Sequence, residues 1–490
     1  MKSFYFLILI LILATVLRLT TVPALLSFTP DEEYQAYITQ TLIKDFHIIW
    51  IGLSAGGFGF YLGPFWNYLI YPFLLAAKGD PLVLGYVASF LGILTTVLLY
   101  FLGKELFSKK VGLLASFFYA SLPLVIYYDQ KPYPSGISFL SVLLALSLYL
   151  SKYSNKWWVV FAIAYGMVFH IHPSLAPILF VGLYWAFWHR QLITKKIILL
   201  SILAFIITIS PLIAFDYFHK ASNITTPFRM MALAQKGEVK INTISHIKTT
   251  FPSFGRVFYL TPHESNADEI LYPCQLTKLS TRTQPPWFFS GLALSIFILF
   301  LTRKSTWKED NKRLLALLSL TLLIPYILLP FINSVEYYLV GFFPLLLLTV
   351  AATITSFPKP FKSLASVLFL LICLLGIFTV LTAKKDFGLE VKKQLVNKVM
   401  HVIGDNPYDL KEEGDCHKYE GWRYLFSVYG RKPERSSEDK TFAWLYPDEV
   451  STKATKYSVI IKETRAAAEI NKNYNVTFQE GGFTAYIYEH

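Results

Sequence analysis

Long apolar segments recur along this 490-residue sequence, and they constrain its fold more than any other feature. Roughly 20 consecutive apolar residues allow a helix to cross the hydrocarbon core of a bilayer. Charged residues make up only 16% of the chain, too few to cover the surface of a soluble protein of this length. We therefore predict an all-α polytopic membrane protein with about 11 transmembrane helices and additional interfacial helices. The predicted spans are 3–26, 82–102, 111–128, 134–151, 157–172, 174–189, 196–215, 287–302, 313–331, 338–356 and 361–382.

For two apolar segments, composition alone does not show whether they cross the membrane. Residues 1–26 resemble a signal peptide, but the apolar run is longer than a usual signal core and no clear cleavage motif follows it. We predict an uncleaved first span. The segment GPFWNYLIYPFLLAA, at 63–77, contains two prolines and precedes KGDP. We predict that it forms an interfacial helix that does not cross the membrane.

The basic residues between the spans predict the orientation. Short cytoplasmic loops carry an excess of Lys and Arg. With a cytoplasmic N-terminus, every loop on the cytoplasmic side is basic, whereas the short loops opposite contain one Lys, Lys131. The first loop (27–81) and the long loop (216–286) then lie outside. The cytoplasmic loops are GKELFSKK, SKYSNK, HRQLITKK, TRKSTWKEDNKR and PKPFK.

The composition changes after the last predicted span. The tail is rich in Lys, Glu, Asp and Tyr, and none of it is long and apolar enough to cross a membrane. TKYSVIIKET and FTAYIYEH are typical of strands, and VKKQLVNKVMHVIG is typical of a helix. We therefore predict a transmembrane domain over 1–382 and a small extracytoplasmic α/β domain over 383–490.

Three consecutive acids, Asp31, Glu32 and Glu33, follow the first apolar segment in the stretch TPDEEYQAY. One interpretation is structural: Thr29, Pro30 and Glu32 form the capping box and first turn of a helix. The other is functional, because an acid at the bilayer edge is costly unless it faces water or a partner. Local sequence alone favours the structural interpretation.

The order of several motifs favours the functional interpretation. After TPDEEYQAY come a Gly-rich loop, SAGGFGFYLGPF, the interfacial segment, a span ending in GKELFSKK and a span ending in YYDQKPYPSG. This order resembles the GT-C superfamily of membrane glycosyltransferases, in the branch of protein O-mannosyltransferases and aminoarabinose transferases. That branch has a P-D-E-x-x-Y motif in its first external loop and a later Tyr a few residues before a Pro. Here VEYYLVGFFP places Tyr337 seven residues before Pro344. The resemblance covers 1–150 well and 311–356 moderately.

The resemblance implies a sugar donor linked to a polyprenyl phosphate and a catalytic role for Asp31. A base must accept the proton of the attacking hydroxyl, and cations must stabilise the departing phosphate. The predicted catalytic residues are Asp31 and Glu32. The predicted donor-phosphate residues are Lys131, Tyr337, His170, His172 and Arg256, with Arg229 and Arg282 as alternatives to Arg256. The predicted substrate-binding residues are Glu33, Tyr34, Tyr133 and Glu336, of which Glu336 is expected to pair with Lys131 or Arg256.

The expected partners are a polyprenyl-phosphate sugar, membrane lipids and an acceptor hydroxyl on a protein, lipid or glycan, with no nucleic acid. No cofactor is certain, and the sequence neither indicates nor excludes a divalent metal, because two histidines alone are half a site. We expect an integral protein of a bacterial or archaeal plasma membrane, with its active site outside.

Two alternatives stay open: a ligase or polymerase for lipid-linked oligosaccharides, and a transporter. A transporter would favour ionisable residues near the midplane or matched broken helices, which the sequence does not show.

Overall fold

A computed structural model describes most of the chain. The described residues are 2–54, 59–133, 136–235, 243–260, 286–328, 335–383, 386–413, 421–436, 454–463 and 474–490. Arg282, one of the alternative phosphate residues, lies outside them. All the other residues predicted for the site are described.

Helices dominate the first 383 residues. The early helices, up to the predicted long loop, are α1 (Lys2–Leu19), α2 (Val22–Leu25), α3 (Pro30–Lys44), α4 (Phe65–Ala76), α5 (Leu82–Leu106), α6 (Lys109–Ser121), α7 (Pro123–Gln130), α8 (Ile137–Ser151), α9 (Trp157–Ile171), α10 (Ile178–Trp188) and α11 (Lys195–Phe218). The later ones are α12 (Ser222–Gln235), α13 (Thr243–Arg256), α14 (Trp287–Thr302), α15 (Lys304–Lys308), α16 (Asp310–Leu328), α17 (Phe343–Thr355) and α18 (Lys359–Leu381). Short 3₁₀ helices lie at Pro173–Leu175, Arg190–Leu192 and Glu336–Leu339.

Each predicted span overlaps a helix. Within the described residues, four helices are long and apolar enough to cross a membrane: α5, α11, α16 and α18. A fifth crossing arises if α6 and α7 form one span, although they are bent by 68°. The bend falls between Leu122 and Pro123, where proline cannot donate a backbone hydrogen bond. The fold class is therefore mostly helical as predicted, while the count of eleven spans stays a prediction.

The segment predicted as interfacial forms α4, which has 12 residues. At 1.5 Å per residue its length is about 18 Å, well short of the roughly 30 Å hydrocarbon core. It packs against α3 and α5. This geometry agrees with an interfacial helix and keeps the two ends of the first loop together.

The C-terminal region contains two helices and a five-stranded sheet. The helices are α19 (Leu389–Ile403) and α20 (Trp422–Tyr429). The strands are β1 (Tyr408–Glu412), β2 (Arg435–Ser436), β3 (Tyr457–Glu463), β4 (Val476–Glu480) and β5 (Phe483–Glu489). The strand order is β2-β1-β3-β5-β4, with β1 parallel to β2 and β3 and the remaining pairs antiparallel. The strands and the helix predicted in the tail coincide with β3, β5 and α19.

One apolar core joins the tail to the first loop. Tail residues such as Leu395, Leu425 and Val459 form a continuous buried cluster with Phe28 and Trp66 of the first loop. A separate, larger cluster fills the space between the helices of the transmembrane domain. The tail therefore packs directly over the helix that carries the three acids.

Candidate functional site

The three acids begin helix α3, and the capping interaction predicted from the sequence is present. The backbone N–H of Thr29 donates to Glu32 Oε2 over 2.7 Å, and the Thr29 hydroxyl donates to the same oxygen. Pro30 occupies the first helical position, where its missing N–H costs nothing. Glu32 is buried and closes the turn, so the structural interpretation holds for Thr29 and Glu32.

Asp31 differs from its two neighbours. Its side chain is reached by solvent, although protein surrounds it closely. Burial within the protein, followed by the charge of Glu32, raises the pKa of Asp31 from 3.8 to about 6, while Lys131 opposes the rise. Within the described part of the chain, no side chain or backbone group donates a hydrogen bond to its carboxylate. Asp31 is thus an accessible carboxylate that is poised to take a proton near neutral pH.

The loop that follows α7 brings Lys131 and Tyr133 to Asp31. The Lys131 ammonium lies over the Tyr127 ring, 4.9 Å from its centre, and its charge interacts with those of Asp31 and Glu32. Burial, then the negative charge of Asp31, raises the pKa of Tyr133. The structure therefore unites Asp31 with two residues predicted for the donor and the substrate.

His172 and Tyr337 complete one wall of this cluster. Their ring centres are 5.5 Å apart, and the Tyr133 ring lies 6.2 Å from each of them. The backbone N–H of Ser174 donates to His172 Nδ1 over 3.2 Å. Because Nδ1 accepts this hydrogen bond it carries no proton, and the ring is neutral with its proton on Nε2. His172 can offer a hydrogen bond but not a positive charge to a phosphate.

Glu336 pairs with Arg256, one of the two partners expected for it. Arg256 Nε lies 2.8 Å from Glu336 Oε2, and both side chains are largely buried. The hydroxyls of Ser253 and Tyr128 donate to the two Glu336 oxygens over 2.9 and 3.0 Å. The Glu336 carboxylate therefore has three partners. Arg256 and Ser253 join it to α13, and Tyr128 joins it to α7, so both helices are linked to the 3₁₀ helix that carries Tyr337.

His170 is engaged by the protein on both ring nitrogens. Its Nε2 donates to the carbonyl of Thr208 over 2.8 Å, and its Nδ1 accepts from the backbone N–H of Phe65 over 3.4 Å. A Cβ at Gly63 would lie 2.1 Å from Nδ1, so the ring needs glycine there. In this structure neither nitrogen of His170 is available to a donor phosphate.

Two residues predicted to bind substrate, Tyr34 and Glu33, form hydrogen bonds within the protein. The Tyr34 hydroxyl donates to the carbonyl of Gly52 over 3.2 Å, and Gly52 N in turn donates to Leu62 O over 2.6 Å. Glu33 is almost fully buried and accepts from the backbone N–H of Tyr424 over 3.2 Å. Both side chains therefore have hydrogen-bond partners in the protein backbone.

A cleft next to the cluster contains polar groups that sequence reasoning missed. Gln35 lies one helical turn after Asp31, and its Oε1 is buried without a hydrogen-bond partner among the described residues. Trp66 Nε1 is also buried and unpartnered within that set. Both line the cleft, together with Tyr133 and His170. The helical spacing of Asp31 and Gln35 was the available signal.

A buried ion pair was also missed. Arg18 Nε donates to Asp129 Oδ2 over 2.9 Å, and the Tyr119 hydroxyl donates to Asp129 Oδ1 over 2.7 Å. Arg18 is fully buried at the end of α1. The signal was an arginine inside an otherwise apolar segment, which needs a partner.

Metal binding finds no support in the described residues. Among them, no group of three or more His, Cys, Asp and Glu side chains is arranged to hold an ion. His170 and His172, the pair considered from sequence, face different partners.

Comparison with protein families gives one match. The family model for dolichyl-phosphate-mannose-protein mannosyltransferases matches residues 62–215. This agrees with the sequence resemblance, although it covers less than half of the chain. Among curated proteins, no match to the sequence was found.

Solved structures share the fold over nearly the whole chain. ArnT from Cupriavidus metallidurans bound to undecaprenyl phosphate aligns with a TM-score of 0.59 and 11% identity, over 98% of this chain and 97% of its own. The apo form of that ArnT gives a TM-score of 0.61, with 11% identity over 99% and 98% of the two chains. Archaeal AglB from Archaeoglobus fulgidus, solved with an inhibitory peptide and a dolichol-phosphate, gives 0.50 and 12% identity, over 94% of this chain and 69% of its own. At this identity the likeness establishes the fold, which is the GT-C-like fold expected from the sequence.

Proposed function

We propose that this protein is a membrane glycosyltransferase that moves a sugar from a polyprenyl-phosphate donor to an acceptor hydroxyl at the outer face of the membrane. The single observation that carries the proposal is Asp31: an accessible carboxylate with a pKa of about 6, beside a lysine, in a GT-C-like fold. A soluble sugar nucleotide would call for a nucleotide cradle or a metal site, and the sequence has no D-x-D motif.

In the proposed reaction the acceptor oxygen attacks the anomeric carbon of the donor sugar. Asp31 takes the proton of the acceptor hydroxyl, and the bond between the sugar and the phosphate breaks, so that the polyprenyl phosphate leaves with the electron pair. A base is most effective when its pKa is near the working pH. The raised pKa of Asp31 meets this requirement while leaving most of the carboxylate ionised at pH 7.

Lys131 serves two purposes in this scheme. Its positive charge lowers the pKa of Asp31, which keeps the base ionised, and it would also face the phosphate of the departing donor. A preorganised cation that faces a developing negative charge stabilises the transition state. Tyr337 and His172 would add neutral hydrogen-bond donors to the same phosphate.

The cleft lined by Gln35 and Trp66 would receive sugar hydroxyls. Its amide oxygen and indole N–H, which have no hydrogen-bond partner among the described residues, match the hydrogen-bonding groups of a carbohydrate, and Trp66 and Tyr133 provide aromatic surface. Arg256 and His170 are omitted from this scheme because their polar atoms contact Glu336, Thr208 and Phe65.

The class of donor is supported by the shared fold. One of the similar structures holds undecaprenyl phosphate and another holds a dolichol-phosphate. The second structure, AglB, also contains a peptide. The similarity to AglB supports oligosaccharide transfer as a second candidate function. The chain matches 97% of ArnT but only 69% of AglB, which favours a monosaccharide donor. The acceptor can be a protein, a lipid or a glycan.

The direct experiment reconstitutes the purified protein in lipid vesicles and supplies a mixture of membrane acceptors with one of two labelled donors, a polyprenyl-phosphate monosaccharide or a lipid-linked oligosaccharide. We expect label to move from the first donor only. Transfer from the second alone would establish the oligosaccharide alternative. Uptake of label into vesicles with no transfer would favour a transporter and contradict the proposal.

The proposed orientation has its own test. We expect a cysteine at Asp45, at the end of α3, to react with an impermeant reagent added outside cells, and a cysteine at Ser108, before α6, to react only after permeabilisation. Both side chains are exposed. Labelling of both from the same side would contradict the placement of α4 as an interfacial helix.

A further inference from the structure

The C-terminal region is hydrogen-bonded to the residues just before the helix that carries Asp31. The backbone N–H of Leu389 donates to the carbonyl of Leu26 over 2.7 Å. One turn later, Lys392 Nζ donates to the carbonyl of Phe28 over 3.1 Å. A Cβ at Gly388 would lie 2.1 Å from the carbonyl oxygen of Ala24, so only glycine permits this approach. The first turn of α19 therefore lies directly against residues 24–28.

Lys392 is a fully buried lysine. Its ammonium lies 5.2 Å from the centre of the Trp422 ring and 5.4 Å from that of Phe483. A buried ammonium is costly unless it is paired and hydrogen-bonded, and the Phe28 carbonyl accepts a hydrogen bond from it. This bond fixes the position of a peptide group three residues before Asp31.

Phe28 has a backbone conformation that requires support. Its φ is 53°, which is unfavourable for a bulky residue. The ring is fully buried and lies 5.4 Å from the centre of the Tyr424 ring. A Cβ at Gly421, whose φ is 72°, would lie 2.6 Å from the Phe28 ring. The strained turn is thus enclosed by side chains of the tail.

Helix α20 of the tail holds the chain on the other side of Asp31. The backbone N–H of Tyr424 donates to Glu33, two residues after Asp31. The Tyr424 hydroxyl donates to the carbonyl of Gly79 over 2.9 Å, and that of Tyr429 donates to Asp80 Oδ1 over 2.7 Å. The same eight-residue helix therefore joins the start of α3 to the chain that follows α4.

We propose that the C-terminal region is a positioning element for Asp31, and that Lys392 and Gly421 set the place of its carboxylate without touching substrate. The tail holds the backbone carbonyl of Phe28, three residues before Asp31, and the side chain of Glu33, two residues after it. A displacement of about 1 Å at a reacting group can cost about 10²-fold in rate. This inference rests on the proposed function, since it assigns the tail a role in that reaction.

The test compares Lys392→Met with wild type in the full-length protein. Met fills the same space but cannot bond to the Phe28 carbonyl. We expect kcat for sugar transfer to fall about 10- to 100-fold, with KM for the donor within about threefold. We also expect faster amide hydrogen exchange in residues 27–36 and an acid limb of the pH–rate profile at lower pH, because a loosened Asp31 becomes better hydrated. A change in overall stability alone would move neither the pH limb nor the balance between kcat and KM.

Lys398→Met is the matched control, because Lys398 lies on the same helix and pairs with Glu480 inside the tail. We expect it to behave as wild type. Gly421→Ala is the second variant: it pushes on the Phe28 ring and is expected to lower kcat in the same way if Lys392→Met does not fold. Wild-type kcat in either folded variant would overturn this inference while leaving the proposed function intact. A wild-type protein without transfer activity would overturn the proposed function itself.

Discussion

Asp31 and Asp129 lie in opposite chemical environments in the same part of the molecule. Asp129 is 8% exposed, and Arg18 and Tyr119 occupy both of its oxygens. A Cβ on Gly92 would lie 2.5 Å from its carboxylate, so there is no room for another group. Asp31 is open to solvent and receives no hydrogen bond from the described residues.

This difference separates a structural carboxylate from a reactive one. A carboxylate whose lone pairs are filled by arginine and hydroxyl donors holds helices together and has no capacity left for a substrate proton. Glu336, with Arg256, Ser253 and Tyr128 around it, belongs to the same class as Asp129. Asp31 retains that capacity, and this contrast gives predictions for each side of the comparison.

The largest effect is expected on stability, from breaking the ion pair between Arg18 and the structural carboxylate Asp129. Arg18→Met leaves Asp129 buried without its cation, and breaking a buried pair in this way costs about 3–5 kcal/mol. We expect a marked loss of thermal stability in detergent, measured as the fraction of protein that stays monodisperse after heating. Donor binding by the protein that remains folded should be normal.

The double variant Arg18→Met with Asp129→Leu is the control. It removes both charges, and replacing a buried pair by apolar residues is often nearly neutral. Most of the lost stability should therefore return. If the double variant is as unstable as the single one, the ion pair is not what Arg18 contributes.

A smaller effect is expected on the reactive side from Lys131→Met. Loss of one charge-assisted contact to the departing phosphate should cost on the order of 2–4 kcal/mol in the transition state, with little change in thermal stability. Steady-state kinetics with the labelled donor measure this cost. Tyr337→Phe tests the neutral contact to the same phosphate and should lose less activity, since no charge is removed. Unchanged kinetics in both variants would remove the two residues from the site.

The smallest effects are shifts in pH dependence. Asp31 must be ionised to accept a proton, so the wild-type rate should rise with pH through about 6, the pKa of Asp31. Glu32 raises this pKa and Lys131 lowers it. Glu32→Gln should therefore move the acid limb to lower pH, and Lys131→Met should move it to higher pH. Shifts in the same direction would contradict the assignment of the limb to Asp31.

Local sequence predicted much of the fold and the start of the site. The lengths of the apolar segments predicted where the helices lie, and Thr29, Pro30 and Glu32 specified the beginning of α3. These features depend on neighbouring residues, which a sequence shows directly. The prolines of the segment 63–77 likewise indicated a short helix, and α4 has 12 residues; its interfacial position stays a prediction.

Contacts between distant residues could not be predicted in this way. Arg18 and Asp129 are separated by 111 positions, and Lys392 and Phe28 by 364. Glu33 was predicted to bind substrate, and the sequence could not show that its carboxylate accepts a hydrogen bond from the backbone N–H of Tyr424 in the tail. Only the folded arrangement shows which of three adjacent acids remains open.

The most direct test of the central claim is the Asp31→Asn protein, with Asp45→Asn at the far end of the same helix as its control. Asparagine keeps the size and polarity of the side chain but cannot act as the base. The account predicts unchanged thermal stability and donor binding, with single-turnover sugar transfer reduced by about 10²-fold or more, while Asp45→Asn behaves as wild type. Near-normal transfer by Asp31→Asn would contradict the claim that this open carboxylate is the catalytic base.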